Sequence, residues 1–449
     1  MLTDLLKPLE TFIHANYAGT WLHDAAFHLF RWLHLYFYEY IDYLFFMVLA
    51  LPVFYILPRR ARPCFMLASS FALISVLYGL VFTCTLTLLP FLFYLSAMQR
   101  REKALSDKAY RKRSSAILVT AILFIYGLLL ARESFEWAPF IPLLNTRFSV
   151  PLLHIAGVAF MVPKLIHFVI DTLNGKINNP SKLNFLLFIL FFPIFRLGPI
   201  ESYNKFESDL TRSTEKGVEK FDIPYGIFRI LLGLLKTFLY AAIFYPIRKF
   251  YPEDLNTVSL LSMYGMFFVI ILEVYCHFSG YSDIAIGLSR LMGFRMTENF
   301  YLPFFSPNIG EWWRRWHISL SLWLRHYVYL PLGGGRIHAY RNYIITFVIC
   351  GAWHYISWHY IIWGFLQGIG LCILRLWKIF WYLTDNRPGF CDFLKPLVRF
   401  MKTHPRLSYT SAVIFTIHYF CISGIFFIYE AEFAARTIRK MLSFGLLPF

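Results

Sequence analysis

The sequence predicts an all-α, polytopic membrane protein, and three observations carry that prediction. Hydrophobic residues make up 58% of the 449, charged residues only 15%, and the mean hydropathy is +0.54, too apolar for a soluble globular domain. Several uncharged runs are long enough to cross roughly 30 Å of hydrocarbon, which takes about 17 to 25 helical residues each. The basic residues, finally, gather at the ends of those runs rather than on a polar face.

That placement decides how the formal charge of +17 is read. Nucleic-acid binding needs cations interleaved with polar surface on a soluble face, so no nucleic-acid partner is expected. Membrane orientation explains the excess better, because Lys and Arg collect in cytoplasmic loops. Arg59, Arg60 and Arg62 form one such loop, and the seven cations between Arg100 and Arg113 form a second. Two passes separate them, which puts both on one side. The next outer loop, 132–147, balances two Arg against two Glu. The seven cysteines are scattered singly, so neither a disulfide framework nor a metal pattern is offered. Residues 1–20 lack a basic leader, apolar core and small-residue cleavage site, so no cleavable signal peptide is expected.

Taken in order, residues 1–40 mix histidines with Trp21, Trp32 and other aromatics, a composition suited to interfacial helices in the headgroup zone. Residues 41–449 then form a single membrane domain. Run 44–57 is short alone but extends back through aromatic residues. Run 64–98 is long enough for two passes, and 114–131 for one. Runs 150–170, 184–200, 223–247, 257–278, 342–377 (two elements) and 408–429 follow, giving about ten or eleven membrane elements. Counting passes produces a conflict. The segment after 257–278 falls outside, yet Arg290 to Arg341 carries seven arginines against two glutamates. A re-entrant element, at 280–293 or at one of the proline-interrupted segments, removes it, since irregular backbone is tolerated where protein or water surrounds it.

The stretch "EWWRRWHISLSLWLRHYVYLPLGGGR", 311–336, concentrates four arginines, two histidines and four tryptophans. On one continuous helix, Trp312, Trp316, Trp323 and Tyr327 share a sector, and Arg314, His317, Ser321 and Arg325 share the opposite one. An interfacial helix whose arginines meet lipid phosphates satisfies the same pattern. His317 argues against it, because an imidazole between two guanidiniums resists protonation and suits an acceptor or base. Downstream, "CGAWHYISWHYIIWG", 350–364, carries His354 in an otherwise uncharged apolar run. An ionisable group at membrane depth is a functional candidate by default, the alternative being a hydrogen bond to a backbone carbonyl. His359 lies off that face. In "EVYCHFSGYSDIAIGLSRLMGF", 273–294, Glu273 with His277 and Asp283 with Arg290 are spaced to pair on one helical face, and the glycines permit close approach or a broken helix. "LGGGR" lacks the ending of a phosphate-binding loop.

Three of these stretches, "FSGYSDIAIGLSRLMGF", "WWRRWHISLSLWLRHYVYLPLGG" and "GAWHYISWHYIIWG", in that order and spacing, resemble the membrane-bound O-acyltransferases. The likeness is strongest to the bacterial branch of alginate O-acetylation and teichoic acid D-alanylation. It is dense over 278–368, and "FRLGPIESY" at 195–203 resembles the family's GPI segment. The resemblance implies about eleven membrane helices around a funnel or tunnel, with the catalytic core at about 195–370. It implies that His354 and His317 are the catalytic pair. The substrate-binding expectation falls on Arg314, Ser321 and Arg325, with Tyr281 and Asp283 from the 273–294 stretch. Acyl transfer needs a base for the hydroxyl proton, a role assigned to His354, with His317 orienting it or polarising the carbonyl. No tightly bound cofactor or metal is implied. The donor is acetyl-CoA or an acyl-carrier thioester, the acyl group acetyl ahead of D-alanyl, and the acceptor an exported or cell-envelope polysaccharide. The other implied partners are membrane lipid, an acyl carrier protein and a periplasmic or extracellular acyltransferase, with the chain in the bacterial inner membrane. One departure is His326, where an acidic residue is usual.

Two other classes fit parts of the pattern. A transporter or flippase also uses intramembrane charges and re-entrant segments, though no internal repeat is visible. A scaffold for partner enzymes would tolerate loss of both histidines.

Overall fold

The computed structural model describes residues 43–131, 156–249, 258–387 and 389–442. The expected interfacial helices of 1–40 and the loop 132–147 lie outside the described residues. Among the described residues, six segments are long and apolar enough to cross a membrane: Arg59–Tyr78, Leu80–Ser106, Asp222–Arg248, Leu261–Leu291, Trp358–Asn386 and Pro405–Ile428.

α1 (Tyr43–Ile56), α2 (Arg62–Tyr78), α3 (Leu80–Ser106) and α4 (Lys108–Ala131) come first. The long run 64–98 divides at Gly79, whose φ of 92° is open to glycine and closed to most residues. Asp107 starts α4 by accepting hydrogen bonds from the N–H groups of Ala109 and Tyr110 at 2.8 and 3.0 Å. α5 (Ala156–Leu173) follows.

The proline-interrupted run is the one that falls short of a crossing. Run 184–200 folds as α6 (Lys182–Leu190) and α7 (Phe192–Phe195), broken at Phe191 ahead of Pro193. Nine residues span only about 14 Å, half the hydrocarbon thickness, so α6 is too short to cross. Its freed backbone is satisfied internally: the Phe192 N–H donates to Ser70 Oγ at 3.1 Å. Residues 280–293, the other place where a break was expected, lie mostly within the continuous helix α10 (Leu260–Leu291).

This settles the parity conflict. α8 (Tyr203–Glu215) lies beside the end of α10, where Ser213 Oγ donates to the Met292 carbonyl at 2.7 Å. Arg59 donates to the Glu215 carbonyl, and Tyr55 to the Leu291 carbonyl, both at 2.7 Å. Arg101 donates to Asn178 Oδ1 at 2.6 Å. Both basic loops, α8 and the start of the arginine-rich 290–341 segment therefore form one basic face, as the positive-inside rule requires.

The glycines of α10 serve helix approach. α9 (Asp222–Leu239), continued by a π-turn over Tyr240–Phe244 and by Tyr245–Lys249, runs antiparallel to it. A Cβ on Gly233 would stand 2.6 Å from the Gly280 carbonyl oxygen, and one on Gly287 2.6 Å from that of Gly226. The expected pairings within α10 give way to pairs across this seam. Glu273 binds Arg248 at 2.6 Å and Arg290 binds Asp222 at 2.6 Å. Asp283 takes Lys236 at 2.6 Å together with Arg229, and Arg229 also reaches Glu298. Seven residues along one helix separate charges by about 10 Å, whereas the facing helix stands within contact.

The chain then passes through α11 (Ile309–Arg315) and α12 (Ile318–Leu324) to the hairpin of α13 (Ala339–His354) and α14 (Trp358–Asn386). α15 (Lys395–Thr403), α16 (Pro405–Ile428) and α17 (Ala431–Leu442) complete it. The hairpin's register is set by glycine. A Cβ on Gly351 would meet the Tyr360 carbonyl oxygen at 2.1 Å, and one on Gly364 that of Phe347 at 2.1 Å. Among the described residues the two larger apolar clusters lie around α1 to α8 with the end of α10, and where α10, α11, α13, α14 and α16 meet.

Candidate active site

Stretch 311–336 is not one helix. α11 ends at Arg315, and His317 adopts φ 44° and ψ 54°, the left-handed region that costs a non-glycine residue about 1–3 kcal/mol. This turn rotates everything after it, so the continuous helical face of Arg314, His317, Ser321 and Arg325 does not exist.

Buried hydrogen bonds hold the turn. Phe300 pairs with Trp316 as an antiparallel bridge, and the Tyr301 N–H donates to the Arg315 carbonyl at 2.9 Å. On the other side of His317, the Ile318 N–H donates to the Asn299 carbonyl at 3.0 Å. Asn299 Oδ1 accepts from Ser319 Oγ at 2.6 Å and from the Ser319 N–H at 3.3 Å. Its Nδ2 donates to Ser282 Oγ at 3.0 Å. The Ile200 N–H, from the GPI segment, donates to Ser319 Oγ at 3.0 Å. Replacing Asn299 with Ala is expected to leave these buried groups unpaired, destabilise the protein by about 1–3 kcal/mol and reduce activity through His317. Thermal unfolding in detergent beside a rate assay checks it, and an unchanged rate would show that the network does not position the ring.

The ring so placed is 2% exposed and stands among the rings of Phe278, Phe160 and Trp353, with centroids 4.6, 6.0 and 6.0 Å away. Both of its nitrogens are buried and find no hydrogen-bond partner among the described residues. His354 ends α13, half-buried against Trp353 at 4.7 Å, Phe427 at 4.9 Å and Trp363 at 5.4 Å. No described carbonyl takes a proton from its ring. Both imidazoles line one partly open cavity. Its other walls come from α10, α11, α12, α14 and α16 and are aromatic or aliphatic; with the Cys421 thiol, the two imidazoles are its titratable groups.

A third intramembrane histidine supplies the contrast. His167, on α5, accepts the Tyr203 N–H at Nε2 over 2.8 Å. Its Nδ1 lies 2.6 Å from the Tyr327 hydroxyl, which donates to Asp171 Oδ2 at 2.8 Å. That imidazole is fully satisfied and ties α5 to the π-turn Arg325–Tyr329. An unsatisfied buried polar atom costs about 1–3 kcal/mol, so His317, with His354 in the same cavity wall, marks a place for a ligand.

The five substrate-binding candidates lie outside the cavity lining. Arg314 is 74% exposed and pairs with Glu311 at 2.8 Å. Arg325 is exposed on the π-turn, and Ser321 Oγ leans toward the Trp316 carbonyl at 3.4 Å. Tyr281 packs against His277 and beneath Arg196, and Asp283 is held by Arg229 and Lys236. His317 therefore sits among rings rather than between guanidiniums. Sequence reasoning missed Asn299, Ser319 and the α16 wall. His167 and Lys164, ionisable groups in an apolar run, carried the same signal that singled out His354.

Residues 67–385 match the profile of the membrane-bound O-acyltransferase family. Over 250 residues the chain is 34% identical to a probable alginate O-acetylase of Azotobacter vinelandii, covering 53% of this chain and 47% of that protein. It is 30% identical over 240 residues to a teichoic acid D-alanyltransferase of Streptococcus thermophilus, covering 50% and 58%. With a peptidoglycan O-acetyltransferase of Helicobacter pylori it shares 32% over 228 residues, covering 49% and 43%. The chain thus spans about half the length of the curated relatives it matches.

Proposed function

The chain belongs to the membrane-bound O-acyltransferase family, and from that premise we propose that it transfers an uncharged acyl group, acetyl first, from a thioester to a hydroxyl of an exported or envelope polysaccharide. The observation that carries this reading is the meeting of His317, whose buried ring nitrogens find no partner among the described residues, with His354 in one apolar cavity. The hydroxyl oxygen attacks the thioester carbonyl while His354 takes its proton. As the carbon–sulfur bond breaks, the thiolate takes that proton from His354 and leaves as a thiol, returning the imidazole to its neutral form. His317 donates to the carbonyl oxygen as negative charge develops there, and the surrounding rings exclude water that would hydrolyse the donor.

The basic face is the cytoplasmic one in this proposal, and a coenzyme A or carrier-bound thioester approaches from it. The inner membrane and an extracytoplasmic acyltransferase partner complete the arrangement. D-alanyl transfer is the second reading, favoured by the likeness to teichoic acid D-alanyltransferases. Among the described residues no carboxylate stands in the cavity lining to accept the ammonium of a D-alanyl group, and an unpaired charge in an apolar site is costly. Acetyl carries no such charge. Mass spectrometry of envelope polymers from cells with and without the intact chain tests both. Loss of acetyl esters is expected, loss of D-alanyl esters alone would replace the acyl group, and unchanged polymers would end the proposal.

A further inference from the structure

We propose that Gly424 sets the upper size of the transferred acyl group, and that the site accepts uncharged chains longer than acetyl with their tails lying along α16. This rests on the acyltransferase reading. α16 turns Phe420, Cys421, Gly424, Phe427 and Ile428 toward the cavity, a single helical stripe in which one position lacks a side chain. Gly351 and Gly364 are small because a facing backbone leaves no room, but a Cβ on Gly424 meets nothing within 4 Å among the described residues. Its glycine therefore keeps space open.

Protein interiors are close-packed, so a gap in a buried stripe forfeits contacts unless something else fills it. This gap opens into the chamber that holds His317, nearly fully buried and with both ring nitrogens unpartnered among the described residues. An acetyl group is only two carbons and an oxygen. Phe267, Ile270 and Val274 of α10 also line the chamber and offer the remainder only apolar surface. Methylenes suit such a space. Each one fully buried is expected to improve donor use about fourfold until the chain reaches the wall.

The test uses the full chain in lipid nanodiscs, isolated envelope as acceptor, and acetyl, butyryl and hexanoyl thioesters of pantetheine as donors. The wild type is expected to use butyryl at least as well as acetyl. Gly424→Val should keep acetyl transfer and lower the butyryl-to-acetyl ratio tenfold or more, with Gly424→Ala between. Gly265→Val, a change on α10 at another glycine whose Cβ would meet nothing within 4 Å and which does not line the chamber, should leave the ratio unchanged. Should Gly424→Val lose all transfer, the ratio in Gly424→Ala decides. Acetyl transfer with the same ratio in wild type and Gly424 variants would overturn the size limit and leave the acyltransferase reading standing. No transfer by the wild type from any donor would overturn both.

Discussion

Replacing His354 with Ala is expected to lower acyl transfer by about 10² to 10⁴-fold, the range that a positioned general base contributes, while the protein stays folded. The stability side of this expectation is specific. Truncating a ring packed against Phe427 and Trp363 loses contacts, but His354 holds no hydrogen bond to a described carbonyl that the change would orphan. Removing a half-buried polar ring also returns part of its desolvation cost, so the two effects offset. At His317 the left-handed backbone restricts the choice of variant, and Asn is suited because it tolerates that region. His317→Asn should therefore lose transfer without unfolding. Both variants are measured for rate and for thermal unfolding in detergent; a transporter or scaffold would retain its function in both.

Gly364→Ala should act in the opposite way, through structure first. The added carbon would stand 2.1 Å from the Phe347 carbonyl oxygen and 3.0 Å from its carbon, both backbone atoms of α13. No rotamer relieves that contact, so the hairpin must open, and overpacking of this kind costs about 1–3 kcal/mol or more. Because His354 is the last residue of α13, opening the hairpin also moves the imidazole. Gly265→Ala on α10 is the matched comparison. A Cβ there meets nothing within 4 Å, and alanine is favoured over glycine in a helix by about 1 kcal/mol. A fall in unfolding temperature for Gly364→Ala, with none for Gly265→Ala, is expected. Equal behaviour would mean that glycine does not set the hairpin register.

These two residues show what the sequence could and could not disclose. His354 was legible because an ionisable group in an uncharged run is conspicuous, and the pass boundaries were legible because hydropathy and arginine placement reflect the lipid directly. The short α6 and α7 were foreseen as a kind and placed only among alternatives, since counting passes detects a missing crossing without saying which segment fails to cross. Pairing failed where partners came from another helix: Asp283 belongs with Lys236 and Arg229, and no spacing rule within α10 contains α9. The helical wheel failed at His317 for a local reason. One left-handed residue, held by Asn299 and Ser319 from either side of the turn, cancels the periodicity on which the wheel depends.

The central claim is that His317 and His354 act together within one cavity. The most direct measurement is the transfer rate of the double variant His317→Asn/His354→Ala beside the two single variants, with folding verified for all three. Groups that serve one step as a unit are non-additive, so the double variant is expected to be no more than a few-fold slower than the worse single variant. If the two losses multiply, the imidazoles contribute independently and the shared reaction chamber is contradicted.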